Sequence, residues 1–149
     1  MLLHFGEQPE LHVVIGRAFR VAGRFPDAID EFKKAIALNP TLARVHDNLA
    51  LAYLMNEGAS RLVDAEQEFK TELVSNPDEF FANYYLGIVY IFQRKWELAI
   101  AFLTNASRVQ AGNPDPYFQL GQAYRGVREA RSSYRSAQEG HHPESGSGP

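Results

Sequence analysis

The side chains that could bind a metal or transfer protons in this sequence are five histidines and one cluster of carboxylates. They are His4, His12, His46, His141 and His142, and Asp27, Asp30 and Glu31. Metal ligands need characteristic spacings, and catalytic carboxylates need a pocket that perturbs their pKa. His12 and His46 occupy equivalent positions of a repeat, which favours packing over metal binding. The acidic cluster is typical of a solvated helix start, and His141 and His142 fall in a polar tail.

Composition excludes several other kinds of site. The 149 residues include no cysteine, so disulfides, cysteine metal ligands and a cysteine nucleophile are ruled out. The formal net charge of −3 argues against a large basic surface for nucleic acid. Walker-type, dinucleotide-binding and nucleophile-elbow motifs are all missing. We therefore expect no enzyme activity, no cofactor and no metal.

The sequence is instead organised as four copies of one pattern. A small residue recurs at Gly16, Ala50, Gly87 and Gly121. A branched apolar residue precedes each of these, and an aromatic residue follows three positions later, at Phe19, Tyr53, Tyr90 and Tyr124. Offsets of three and four place such residues on one face of a helix. This predicts one helix in each copy with a close contact at the small residue.

A second pattern follows the first in each copy. It consists of an alanine, a bulky residue four later and usually another alanine three after that. The four sets are Ala28, Phe32 and Ala35; Ala65, Phe69 and Glu72; Ala99, Leu103 and Ala106; and Ala130, Tyr134 and Ala137. Small residues allow two antiparallel helices to approach to about 8–10 Å, and large ones fill the space around them. Each copy is therefore predicted to be a helix pair that needs neighbouring pairs to bury its apolar faces.

This pattern resembles the tetratricopeptide repeat, a helix–turn–helix unit of 34 residues. The resemblance implies an all-α solenoid of antiparallel helix pairs wound into a right-handed superhelix. The repeats are predicted at residues 9–42, 43–79, 80–113 and 114–140. Residues 1–8 are interpreted as a lead-in left from a preceding repeat, and residues 141–149 as a disordered tail.

Two of the four copies differ in length from the others. The second carries three extra residues around Gly58, which we expect the turn between its helices to absorb. The fourth lacks three residues, because Tyr124 and Val127 are three positions apart where Phe19 and Phe25 are six apart. We therefore expect a shortened, irregular fourth helix pair.

In the family, the concave face is lined mainly by first helices and binds extended peptides or partner helices. The resemblance therefore implies a partner-binding groove with an apolar centre and basic edges. Its predicted residues are Arg17, Arg44, Leu51, Met55, Phe81, Tyr84, Ile88, Phe92, Phe118 and Gln122. The competing interpretation is that these apolar residues are covered within the protein, since a large bare apolar patch needs some cover.

The leading hypothesis is a protein-interaction module or scaffold that binds an apolar segment of a protein or peptide. Two alternatives are self-association through uncapped repeat ends and an accessory, substrate-holding part of a larger enzyme. Some relatives bind acidic chaperone tails through a lysine–asparagine clamp, but the matching positions here include Val13, Asp47 and Tyr85, so that clamp is absent. No signal peptide or membrane segment is recognised, so a cytoplasmic protein that contacts neither membrane nor nucleic acid is expected.

Overall fold

The computed structural model describes residues 8–140 and consists there of helices and turns. The helices are α1 Pro9–Val21, α2 Phe25–Leu38, α3 Val45–Glu57, α4 Leu62–Ser75, α5 Phe80–Phe92, α6 Trp96–Val109 and α7 Asp115–Gly140, and a 3₁₀ turn, Gly58–Arg61, joins α3 to α4. The predicted tail 141–149, which contains His141 and His142, and residues 1–7 of the predicted lead-in lie outside the described residues.

Helices adjacent in sequence pack against each other along the whole chain. Within the repeats, α1 packs on α2, α3 on α4 and α5 on α6, and the pairs are joined by contacts of α2 with α3, α4 with α5 and α6 with α7. This nearest-neighbour arrangement is that of a helical solenoid. It confirms the predicted all-α fold of stacked helix pairs.

The small residues mark close helix contacts in the first three repeats. A Cβ atom built on Gly16 would lie 2.6 Å from the Phe32 ring, and one built on Gly87 would lie 2.5 Å from Cγ of Leu103. Ala50, the residue at this position in the second repeat, is completely buried. At Gly121, however, an added Cβ would have no atom of residues 8–140 within 4 Å, so the predicted close contact is wrong for the fourth copy.

The second-helix pattern supplies eight of the twenty buried apolar residues within residues 8–140, and the first helices supply most of the others. Phe32 and Phe69 are completely buried, as is Leu103 at the same repeat position. One buried cluster is built around α2 and α3, and a larger one extends from α3 to α7. Full burial of such side chains contributes about 1.5–3 kcal/mol each, which is why the stacking of pairs stabilises the whole array.

The predicted fourth helix pair is not formed, because Asp115–Gly140 is one continuous helix. The three missing residues are those that form the turn in the other repeats, so the chain passes through this region without leaving the helix. Gly126, inside α7, packs against Trp96, whose ring would lie 2.5 Å from an added Cβ. The three residues Ala130, Tyr134 and Ala137, predicted to be a packed second helix, are exposed instead.

Candidate functional site

All ten predicted groove residues lie on or next to the first helix of a repeat. Arg17 is on α1, and Arg44 directly precedes α3. The others are Leu51 and Met55 on α3, Phe81, Tyr84, Ile88 and Phe92 on α5, and Phe118 and Gln122 on α7. The structure thus distributes them over four neighbouring elements of the stack.

These residues differ in how much they contribute to the core. Leu51 and Tyr84 are half-buried and pack against the larger core cluster. Phe92 and Phe118, in contrast, are 70% and 67% exposed, and Met55 is 50% exposed. Large apolar side chains so exposed are free to contact another molecule, whereas Leu51 and Tyr84 also stabilise the fold. Among the polar members, Arg17 is exposed and Gln122 half-buried.

An apolar pocket brings two of the predicted residues together. Its volume is about 200 Å³, and it lies between the C-terminal ends of α3 and α5. Ile88 and Phe92 form one side of it, and the 3₁₀ turn contributes Gly58 and Ala59 to the other. The remaining lining residues are Leu54, Leu62 and Val89. The inserted residues of the second repeat therefore form part of the pocket wall.

Arg44 is engaged by groups within the protein. Its Nε lies 3.4 Å from Oδ2 of Asp47 and 3.7 Å from Oε1 of Glu79, and its guanidinium lies 4.6 Å from the centre of the Phe81 ring. The residue has a left-handed backbone with φ 67°, and its backbone N–H donates to Oε1 of Glu72 at 2.6 Å. The predicted guide for acidic partner groups thus already neutralises acidic groups of the chain itself.

The carboxylates around Arg44 form a buried acidic cluster. Asp47 and Glu72 are 1% and 2% exposed, and Glu79 lies beside them. Burial raises the pKa of Asp47 to about 7, and the nearby charge of Glu79 acts in the same direction. A further acidic group, brought to this cluster by a partner, would be repelled rather than attracted.

Tyr84 belongs to an aromatic cluster at the start of α5. Its ring is stacked on Phe80 with a centroid distance of 5.6 Å, and it meets Tyr85 edge-on at 5.2 Å. Phe81 in turn stacks on Tyr85 at 6.3 Å. Burial raises the pKa of the Tyr84 phenol, so this group stays neutral at physiological pH. The cluster forms a rigid apolar base for this part of the surface.

The two histidines at equivalent repeat positions make equivalent contacts. His12 Nδ1 lies 2.6 Å from Glu31, and His46 Nδ1 lies 2.6 Å from Glu68. His46 also donates from Nε2 to the carbonyl oxygen of Pro40 at 2.8 Å. Glu68 raises the pKa of His46, and the hydrogen bond from His12 lowers the pKa of Glu31. Both histidines therefore join the two helices of a repeat.

Sequence reasoning missed two features of this region. It treated the residues around Gly58 as a tolerated insertion, although they line the pocket. It also noted Glu72 only as a departure at a small-residue position, whereas Glu72 accepts the backbone hydrogen bond of Arg44. An acidic residue at a position that should be buried was the available signal, because a buried carboxylate requires a donor.

Comparison with known proteins gives a consistent result. A family model described as TPR repeat matches residues 16–56. Human tetratricopeptide repeat protein 13 is 27% identical over 119 residues, which is 80% of this chain. The chain spans only 13% of the length of that curated relative.

Solved structures share the fold across most of the described helices. The first tetratricopeptide domain of human RPAP3 matches 86% of this chain and 98% of its own length, with a TM-score of 0.76 and 18% identity. The first such domain of Spaghetti, solved with the HSP90 peptide SRMEEVD, matches 85% of this chain and 99% of its own, with a TM-score of 0.77 and 17% identity. MamA matches 91% of this chain and 79% of its own, with a TM-score of 0.75 and 25% identity.

Proposed function

Because the chain belongs to the tetratricopeptide repeat family, we propose that it is a non-enzymatic interaction module that holds an apolar segment of a partner protein. The partner would lie across the first helices, contact the exposed rings of Phe92 and Phe118, and insert one apolar side chain beside Ile88. Structural neighbours that bind peptides support this class of function. No helix within residues 8–140 has the length and apolar character needed to cross a membrane.

The observation that carries the proposal is the apolar pocket between α3 and α5. Its volume of about 200 Å³ is large enough for a leucine or phenylalanine side chain, and its lining residues are all apolar or glycine. Phe92, at its rim, is 70% exposed and so lacks cover within residues 8–140. An anchor side chain in a preformed pocket, surrounded by weaker contacts, is the usual basis of peptide affinity.

Charge separates this site from the acidic-peptide sites of the structural neighbours. The first tetratricopeptide domain of Spaghetti and the second of human RPAP3 were solved with peptides ending in EEVD. Here the only basic group beside α5 in the predicted groove, Arg44, is already paired with Asp47 and Glu79 among residues 8–140. We therefore expect the peptide SRMEEVD to bind poorly, and an uncharged apolar segment to bind better.

Selection from a phage-displayed random peptide library on the intact chain tests the proposal. We expect selected peptides to share a leucine or phenylalanine anchor, and Phe92→Ala or Ile88→Asp to weaken binding about tenfold or more. Tyr134→Ala is the matched control, because Tyr134 is 67% exposed but lies outside the groove. Circular dichroism would establish that each variant remains folded.

The proposal would be wrong if folded Phe92→Ala bound the selected peptides as tightly as the unsubstituted chain. It would also be wrong if Tyr134→Ala weakened binding as strongly as Phe92→Ala. These experiments do not test self-association or a role as part of a larger enzyme, so both stay predictions.

A further inference from the structure

One face of α7 is left uncovered along its entire length by the part of the chain that the structure describes. Residues at alternating spacings of four and three lie on a single stripe of a helix. On α7 this stripe, which we call the α7 stripe, contains Tyr117, Gly121, Tyr124, Arg128, Arg131 and Arg135. All six are exposed, Tyr117 by 52% and Tyr124 by 57%. A surface depression of about 520 Å³ follows its C-terminal half.

The N-terminal half of the α7 stripe has the features of a helix-docking surface. In the first and third repeats, the equivalent glycines receive the bulky side chains of a second helix, namely Phe32 on Gly16 and Leu103 on Gly87. Gly121 has the same position in its repeat, yet an added Cβ there would meet no atom of the described residues within 4 Å. The position that elsewhere accepts a Phe or Leu side chain is therefore not filled by any of residues 8–140.

The chain cannot fill this position with its own equivalent side chain. Phe32 lies sixteen positions after Gly16, whereas Tyr134 lies thirteen positions after Gly121. Thirteen residues of straight helix place the two about 20 Å apart. They also point to different sides of α7, since thirteen steps of about 100° bring them far from alignment.

The C-terminal half of the α7 stripe is basic. Within residues 8–140, the guanidinium groups of Arg128, Arg131 and Arg135 have no carboxylate within salt-bridge distance. Because the chain as a whole carries a net charge of −3, this is a local concentration of positive charge. A local patch of this kind favours an acidic protein segment over a nucleic acid, which needs a more extended basic surface.

We propose that the α7 stripe binds an acidic amphipathic helix of a partner protein, antiparallel to α7. The partner helix would place a Leu or Phe on Gly121 and acidic residues opposite Arg128, Arg131 and Arg135. In an antiparallel pair the acidic residues precede the bulky one by about 7 to 14 positions. Acidic residues near the start of that helix are also favoured by its dipole. This surface and its partner are distinct from the apolar groove.

The test uses the full chain and a fluorescent synthetic helix with glutamates in its N-terminal half and leucines in its C-terminal half. We expect anisotropy to show binding that weakens as salt is raised. Arg131→Glu should weaken it about fivefold, and the Arg128, Arg131 and Arg135 triple reversal about a hundredfold. Gly121→Leu should weaken it through the other half of the stripe.

Lys33→Glu is the matched control, since it makes the same charge change at an exposed residue of α2, outside α7, and should alter binding less than about twofold. The proposal is overturned if the peptide fails to bind, if a peptide with acidic and apolar halves exchanged binds equally, or if Lys33→Glu acts like Arg131→Glu. Tighter binding of a single-stranded RNA or of anionic vesicles, lost in the triple reversal, would overturn it in favour of that ligand.

Discussion

A comparison of two glycine substitutions provides the sharpest test of how the repeats are packed. Gly87→Ala adds a methyl group where Cγ of Leu103 lies 2.5 Å away and both residues are buried. Gly121→Ala makes the same change at the same repeat position, where no atom within the described range 8–140 lies within 4 Å of the new methyl group. Both glycines are inside helices. The two variants therefore differ in the packing around the new methyl group and share the backbone change.

The expected magnitudes follow from two opposing effects. Replacing an interior helical glycine by alanine stabilises the helix by about 0.8–1 kcal/mol. Forcing an extra methyl group into a filled contact costs about 1–3 kcal/mol. Gly121→Ala should therefore raise the free energy of unfolding, by up to about 1 kcal/mol. The helix-propensity gain cancels between the two variants, so Gly87→Ala should be less stable than Gly121→Ala by about 1–3 kcal/mol.

Urea denaturation followed by circular dichroism measures both free energies of unfolding under the same conditions. Gly16→Ala serves as a second close-contact variant, because its added methyl group would lie 2.6 Å from the Phe32 ring. It should resemble Gly87→Ala. Equal stabilities of Gly87→Ala and Gly121→Ala, within about 0.5 kcal/mol, would refute the inference that the small residue is required by a close helix contact.

Three further predictions concern buried polar groups. The pKa of His46 is raised in the folded protein, so its stabilising contribution is complete below its unfolded pKa and is lost as pH rises through the folded value. Asn83 occupies the equivalent position of the third repeat. His46→Asn should therefore flatten the pH dependence of the urea midpoint. Burial raises the pKa of Asp47 from 3.8 to about 7, so the free energy of unfolding falls as pH rises from the first value to the second. Asp47→Asn should therefore stabilise the fold at pH 8 but not at pH 4. Glu72→Ala should cost about 1–3 kcal/mol by leaving the Arg44 N–H without its acceptor, whereas Glu72→Gln should cost less in the same denaturation assay.

The helix pairs could be predicted because their determinants are local and periodic. The spacing of Gly87, Tyr90 and the residues around Leu103 specifies which faces meet, and the structure buries Tyr90 and Leu103 in that contact. Periodicity reports the face of a helix directly. It was therefore sufficient for the stacking of the first three repeats.

The fourth repeat was predicted incorrectly for a reason that periodicity cannot reveal. Ala130, Tyr134 and Ala137 retain the second-helix pattern, but a pattern of side chains does not supply the residues that a turn requires. With three residues missing, continuing the helix satisfies the backbone hydrogen bonds that a turn would have to break. Side-chain periodicity alone gives no information about those hydrogen bonds.

The candidate site was only partly accessible from the sequence. Family positions assigned Ile88 and Phe92 to the groove, and in the structure both lie on α5 and line the apolar pocket. Family positions also assigned Arg44 to partner recognition. The competing internal acids, Asp47 and Glu79, lie on two different elements, so their convergence on Arg44 is a tertiary effect. A single sequence offers no spacing rule for such a contact.

Two length changes of three residues each, at the turn between the helices of a repeat, account for the features that distinguish this chain from a regular array. Three residues gained in the second repeat fall at the four-residue 3₁₀ turn Gly58–Arg61, which gives the apolar pocket one of its walls. Three residues lost in the fourth repeat remove the turn, extend α7 and leave Gly121 open beside a row of arginines. The helices bury the core in both cases, so the packing tolerates both changes. It follows that variation in turn length exposes the two candidate binding surfaces. Deleting the inserted residues of the second repeat should therefore abolish the pocket while leaving the α7 stripe unchanged.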